Sequence, residues 1–113
     1  MAFETEPAPD EVLLVSSTRD GTRTVVRLEG ELDLHGTERL AAEVQRAIAT
    51  SEVVEIDAEH LTFADSAGLR AVLLARASAE EGGVTLRVIK VSAPVGRVIE
   101  IAGLAAELLP APS

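Results

Sequence analysis

The feature that most constrains the fold is the order in which two kinds of apolar pattern follow one another along the chain. A turn signal at Asp20-Gly21 separates two stretches of strand character, residues 12–17 and 24–29, and predicts a β-hairpin. After the hairpin, short β-branched stretches alternate with segments in which apolar residues recur every three or four positions. This alternation predicts an α/β fold in which helices pack against a mixed sheet.

The first predicted helix follows Gly30-Glu31-Leu32-Asp33 and runs to about residue 50. Thr37 is placed to cap it, because a threonine oxygen can accept a hydrogen bond from a free N–H group of the first turn. The helix presents one apolar stripe with a spacing of four residues, formed by Leu40, Val44 and Ile48.

The rest of the chain repeats this alternation twice. Residues 53–57 and 84–91 are predicted strands, and Gly82-Gly83 ends the helix that lies between them. Pro94 opens a last helix, since proline is tolerated in a first turn, and Gly103 ends it. The predicted order is therefore β-β-α-β-α-β-α, with a mixed sheet of four to five strands.

Composition limits the possible partners and cofactors. The chain carries a formal net charge of −9, which disfavours nucleic acid and an anionic membrane surface. It has no cysteine, so disulfides and thiolate metal sites are excluded and a reducing cytoplasm is the expected location. No spacing of histidines and carboxylates suggests a metal, and no cofactor is predicted. A nucleotide-binding role stays open, although the G-x-x-x-x-G-K loop is absent.

The predicted domain boundaries follow from local composition. Residues 1–11 combine prolines with carboxylates and predict a disordered acidic tail. Residues 12–109 are the predicted folded domain, and residues 110–113 are a C-terminal tail. The acidic start does not resemble a signal peptide, and no apolar stretch reaches the length of a membrane span.

The most informative segment is residues 63–69, Phe-Ala-Asp-Ser-Ala-Gly-Leu, which follows a predicted strand and opens a helix. Functional sites in α/β folds gather where strands end. A phosphate on Ser66 would meet the free N–H groups and the positive dipole of a helix N-terminus. Gly68 carries no side chain that could block an approaching partner. The alternative is that Asp65 or Ser66 serves only as a helix cap.

An enzyme is a competing interpretation of the same segment. Residues 64–68 resemble the small-x-Ser-x-Gly turn that holds the nucleophile of α/β-hydrolases. That mechanism needs a histidine after the serine in chain order, but His35 and His60 both precede Ser66. We therefore predict that the chain is not an enzyme.

The element order and two segments resemble the STAS family, which includes the anti-sigma factor antagonists. The matching segments are residues 30–33 (Gly-Glu-Leu-Asp) and 63–69, with further similarity at Ala93-Pro94 and Gly103-Leu104. The resemblance covers roughly residues 12–109. Many members carry a second serine where this chain has Ala67, so Ser66 is left as the acceptor in this turn.

This resemblance implies a switch that works by binding another protein. The serine that matches Ser66 is phosphorylated by an anti-sigma factor serine kinase, and a PP2C-type phosphatase reverses the modification. The unphosphorylated form binds the kinase and releases a sigma factor. The residues expected to meet the partner are Asp33, Asp65, Ala67, Gly68 and Leu69. Asp33 has an equally good structural interpretation as a turn or cap residue.

A second class of function stays open within the same family. Some STAS domains act as scaffolds or accompany lipid-transport components. In such a protein Ser66 would be only a helix cap, and partner binding would survive its replacement.

Overall fold

The computed structural model describes residues 12–110. The elements in this range are, in chain order, β1 (Leu13–Asp20), β2 (Arg23–Leu32), a short 3₁₀ helix (Leu34–Gly36), α1 (Thr37–Thr50), β3 (Val53–Ala64), α2 (Ser66–Glu81), β4 (Thr85–Val91), α3 (Ala93–Ile101) and α4 (Ala105–Leu108). The predicted order is confirmed, and the single turn α4 is an addition to it. The tail predicted at residues 1–11 lies outside the described residues, so the domain boundaries stay predictions.

The strands form one four-stranded sheet in the order β1-β2-β3-β4. β1 and β2 are antiparallel and meet at the pair Asp20–Arg23, where Gly21 adopts a φ of 63° that favours glycine. β2, β3 and β4 are parallel to one another. The predicted mixed sheet is therefore confirmed, and the three parallel strands end at the same edge.

Alternating burial shows which face of the sheet meets the helices. Val26 and Leu28 in β2 are fully buried, whereas Arg27 between them is exposed. Helix α1 packs against β1, β2 and β3, helix α2 packs against β3 and β4, and the two helices contact each other. Both helices thus cover one face, and both begin at the edge where the parallel strands end.

Two local predictions are corrected. Thr37 does not cap α1: it is the first helical residue, and its hydroxyl donates a 3.0 Å hydrogen bond to the carbonyl of Leu34. The intervening 3₁₀ helix brings that carbonyl within reach and places Gly36 at the cap position. Strand β3 continues to Ala64 instead of ending at residue 57, because the following residues pair with the end of β2 across two register shifts.

The opposite face of the sheet holds a buried carboxylate. Glu55 is only 7% exposed, and its Oε2 accepts hydrogen bonds of 3.0 and 2.8 Å from Nε and Nη2 of Arg87. Arg23 adds a second cation at 3.8 Å. A carboxylate removed from water needs such partners, so this cluster belongs to the structure of the sheet.

Candidate functional site

Two aspartates lie side by side at the edge where the parallel strands end. Leu32 and Ala64 are the last paired residues of β2 and β3, and Asp33 and Asp65 directly follow them. The backbone N–H of Asp65 donates a 3.2 Å hydrogen bond to the carbonyl of Leu32. The structure therefore brings together the two sequence segments, residues 30–33 and 63–69, that were singled out separately.

Asp65 is the N-cap of helix α2. Its backbone is extended, with a φ of −105° and a ψ of −178°, and its Oδ1 accepts a 2.8 Å hydrogen bond from the N–H of Gly68. This is the geometry in which a short carboxylate satisfies a free donor of the first turn and meets the positive end of the helix dipole. Of the two capping residues considered from the sequence, Asp65 is the one that caps.

Ser66 is the first residue of α2, and its side chain is exposed. Since Asp65 supplies the cap, helix α2 does not need the Ser66 hydroxyl, which makes no hydrogen bond to any residue between 12 and 110. The N–H groups of Ser66 and Ala67 have no partner within the helix. The position thus combines an accessible hydroxyl with donors that favour an added anion.

Gly68 has a packing role that the sequence did not predict. A Cβ at this position would lie 2.2 Å from the carbonyl oxygen of Leu32 and 2.8 Å from its Cγ. The missing side chain therefore lets α2 pack against the end of β2. Leu69 is 3% exposed, so neither residue offers a side chain to the surface. Both residues fix the position of the helix start that carries Ser66, and their predicted contact with a partner stays a prediction.

The other predicted contact residues lie nearer the surface. Ala67 and Asp33 are both half-buried. The Oδ1 of Asp33 accepts a 3.0 Å hydrogen bond from the N–H of His35 and so caps the 3₁₀ helix. The interpretation of Asp33 as a cap is confirmed. A contact between Asp33 and a partner stays a prediction.

Two exposed apolar side chains at this edge were not predicted from the sequence as partner contacts, although Phe63 lies in the segment 63–69. Leu34 is 65% exposed in the 3₁₀ helix, and Phe63 is 46% exposed near the end of β3. The sequence contained an indication for Leu34, because this apolar residue stands between Asp33 and His35 in a turn segment, where polar residues are favoured. Exposed large apolar groups beside Ser66 are typical of a surface that binds protein.

The described residues contain no arrangement suited to metal binding. No group of three or more His, Asp or Glu side chains within residues 12–110 could hold an ion. His60 lies in strand β3, where its Nε2 is 3.7 Å from the Glu59 carboxylate, and His35 lies in the 3₁₀ helix. Among residues 12–110, no helix has the length and apolar character required to cross a membrane.

Comparison with known proteins decides the family. A family model described as "Mlab, STAS domain" matches residues 15–110. The chain belongs to the STAS domain family. It is 32% identical over 82 residues to an anti-sigma F factor antagonist of Paenibacillus polymyxa, a match that covers 71% of this chain and 70% of that protein. The resemblance inferred from residues 30–33 and 63–69 is thereby confirmed.

Solved structures agree with this assignment. The anti-sigma factor antagonist SpoIIAA in its unphosphorylated form superposes with a TM-score of 0.69 at 26% identity, covering 89% of each chain. The phosphorylated form of SpoIIAA, described as a Bacillus cell fate determinant, gives a TM-score of 0.64 at 25% identity, covering 89% of this chain and 92% of that one. The α/β fold of the STAS domain is confirmed. So is the prediction that the chain is a regulatory binding protein and not an enzyme.

Proposed function

We propose that this STAS domain is an anti-sigma factor antagonist controlled by phosphorylation of Ser66. The unphosphorylated form binds an anti-sigma factor serine kinase and releases a sigma factor. Phosphorylation of Ser66 abolishes that binding, and a PP2C-type phosphatase restores it. The proposal rests on one observation at the start of α2: Asp65 caps the helix, so the exposed hydroxyl of Ser66 makes no hydrogen bond within residues 12–110. Relatives named as anti-sigma factor antagonists support it.

The electrostatics of the site suit an on–off switch. A phosphate adds a charge of about −1.5 to −2 to a surface that already carries Asp33 and Asp65. The unpaired N–H groups of the first turn can accommodate this anion without a change of fold. A partner that packs closely over the unmodified serine would have to desolvate this phosphate once Ser66 is phosphorylated. Such a penalty of several kcal/mol corresponds to a loss of affinity of about a thousandfold.

The proposed contact surface contains the exposed residues of this edge. Ser66 is at its centre, with Ala67 and Asp33 half-buried beside it. Leu34 and Phe63 supply the apolar contacts that a stable protein interface needs. In this arrangement the chain contributes an acceptor hydroxyl and a docking surface. The kinase contributes ATP and magnesium, and the complex forms in the cytoplasm.

The test compares three variants in binding to the anti-sigma factor kinase that phosphorylates this chain. Ser66→Asp places a negative charge at the acceptor and is expected to weaken binding at least a hundredfold. Ser66→Ala removes the acceptor and is expected to bind like the wild type while resisting phosphorylation with ATP and magnesium. Ser16→Asp is the matched control, because it adds the same charge at an exposed serine of β1.

Isothermal titration calorimetry gives the affinities, and mass spectrometry of the fragmented protein locates the phosphate. If Ser66→Asp binds the kinase as tightly as Ser16→Asp does, the proposal that phosphorylation of Ser66 abolishes binding is wrong. The chain would then be a STAS scaffold or an accessory of lipid transport, in which Ser66 has no regulatory role. Phosphate on another residue of the wild-type chain would also contradict the assignment of Ser66.

A further inference from the structure

A cleft between helices α1 and α2 lies on the covered side of the sheet, away from the strands. It has a volume of about 410 Å³. Helix α2 contributes Ala71, Leu74 and Ser78 to its lining, and helix α1 contributes Ala41 and Gln45. A 2.6 Å hydrogen bond from Gln45 Nε2 to Ser78 Oγ joins the helices across it. The alanines leave room between the two helices that larger side chains would fill.

The cleft contains a large apolar side chain that is exposed to solvent. Leu74 is 60% exposed although it stands in the middle of α2 with apolar neighbours on both sides in the sequence. An exposed leucine beside a row of alanine methyl groups forms an apolar surface with room for an apolar side chain of a partner. No lysine or arginine is among the residues that line the cleft, whereas Glu38 is one of them.

The cleft adjoins the Ser66 surface at the edge where α1 and α2 begin. Ala67, Ala71, Leu74 and Ser78 are spaced by four, three and four residues, so they share a single face of the helix. Helices α1 and α2 begin at the same edge of the sheet, and Thr37, the first residue of α1, is part of the cleft. Thr37 also donates a hydrogen bond to the carbonyl of Leu34, whose exposed side chain belongs to the proposed contact surface. The cleft therefore adjoins that surface at the start of α1.

The size of a stable interface makes this adjacency significant. A typical interface covers about 800 Å² on each partner, equivalent to a circle of about 16 Å radius. Leu74 follows Ser66 by eight residues, which is about 12 Å along the helix axis. A partner of ordinary size that covers Ser66 therefore also covers the near part of the cleft, unless it approaches from one side only.

We infer that the α1–α2 cleft binds an apolar side chain of the same anti-sigma factor kinase that acts on Ser66, with a lysine or arginine beside it facing Glu38. This inference rests on the proposed function. The two parts of the surface then do different things. Phosphorylation changes the affinity of the Ser66 edge for the kinase. The cleft supplies affinity that does not depend on phosphorylation. It also selects among related kinases, because Ala41, Ala71 and Leu74 determine which side chain fits.

The test uses the full chain and the kinase that phosphorylates it. Leu74→Ala removes the exposed wall of the cleft, and Ala41→Glu fills it with a larger charged side chain, which leaves no room for an apolar side chain of the partner. Both positions are exposed, so both variants are expected to fold. Ile101→Ala is the matched control, because Ile101 is 81% exposed on α3 and lies outside the cleft.

We expect Leu74→Ala to weaken kinase binding about fivefold to tenfold and Ala41→Glu to weaken it more than tenfold, with Ile101→Ala unchanged. In phosphorylation assays the same two variants should raise KM for the chain and leave kcat within about twofold, because Ser66 itself is untouched. If both cleft variants bind within twofold of Ile101→Ala while Ser66→Asp loses binding, the cleft inference is wrong and the proposed function stands.

Two other outcomes are distinguishable. If Ser66→Asp also keeps its affinity, the proposed function fails independently of the cleft. If sedimentation shows a wild-type dimer that Ala41→Glu converts to monomer with unchanged kinase affinity, the occupant is a second copy of this chain and the inference is overturned. Circular dichroism melting of each variant checks that a loss of binding does not reflect unfolding.

Discussion

Two serines stand at the starts of two helices in this domain, and they are used in opposite ways. Ser66 is the first residue of α2, exposed and unengaged because Asp65 before it is the cap. Ser92 occupies the cap position of α3, yet its side chain makes no capping hydrogen bond, and its Oγ is buried without a partner among residues 12–110. Both follow strands that end at the same edge.

The comparison shows that position within the first turn, and not residue type, determines what a serine can do. A serine one residue after a working cap has a hydroxyl that is free for chemistry. A serine at the cap position is oriented by the backbone, and in α3 Pro94 removes one of the N–H groups that its hydroxyl could have met. Of these two serines, Ser66 has the exposed hydroxyl that the proposed phosphorylation requires.

The largest expected effect comes from the glycine that sets the packing of α2. Gly68→Ala would place a Cβ 2.2 Å from the Leu32 carbonyl oxygen, so helix and strand must separate. We expect the free energy of unfolding to fall by about 3 kcal/mol, at the upper end of overpacking costs. Urea denaturation followed by circular dichroism measures it. A loss below about 1 kcal/mol would show that α2 can shift without penalty, and the fixed position of Ser66 would then be in doubt.

The next effect tests the cap of α2. Asp65→Ala removes the acceptor of the 2.8 Å hydrogen bond from Gly68 N–H and should lower the free energy of unfolding by about 1 kcal/mol. Asp65→Asn keeps a capping oxygen and should retain most of that stability. Ser66→Ala serves as the control and should change stability by less than about 0.5 kcal/mol, because its side chain is exposed. A larger loss for Ser66→Ala than for Asp65→Ala would reverse the roles assigned to the two residues.

The corresponding glycine of α3 provides a contrast with Gly68. A Cβ on Gly96 would lie 3.7 Å from Val91 Cγ1, which is an ordinary contact. Gly96→Ala should therefore raise the free energy of unfolding by about 0.5 kcal/mol, since alanine favours a helix over glycine. Thermal melting detects the change. Destabilisation instead would mean that the start of α3 is packed as tightly as the start of α2.

The smallest expected effect is that of Ser92→Ala on the free energy of unfolding. Whether this free energy rises or falls shows whether Ser92 caps α3. Replacing an ordinary capping serine by alanine lowers the free energy of unfolding by about 1 kcal/mol. Ser92 makes no capping bond and buries an unsatisfied hydroxyl, so Ser92→Ala should leave stability unchanged or raise it by about 0.5 kcal/mol. A clear loss of stability would show that Ser92 caps α3 in solution, and the contrast with Ser66 would weaken.

The sequence alone determined the order of elements, indicated the family and singled out residues 63–69. These follow from local causes. The hairpin depends on Asp20-Gly21, the helices on apolar residues recurring every three or four positions, and the segment before α2 on a serine and a glycine placed after a strand. Each is encoded by residues that are close together in the chain.

Tertiary structure decided which of those residues touch the solvent and which touch each other. The sequence did not indicate that Gly68 is the contact between α2 and β2, because the Leu32 carbonyl next to it comes from a segment more than 30 residues earlier. The cleft beside Leu74 likewise depends on α1 and α2 packing side by side. No periodicity within one helix reports what a neighbouring helix leaves uncovered, since burial is a property of the assembled surface.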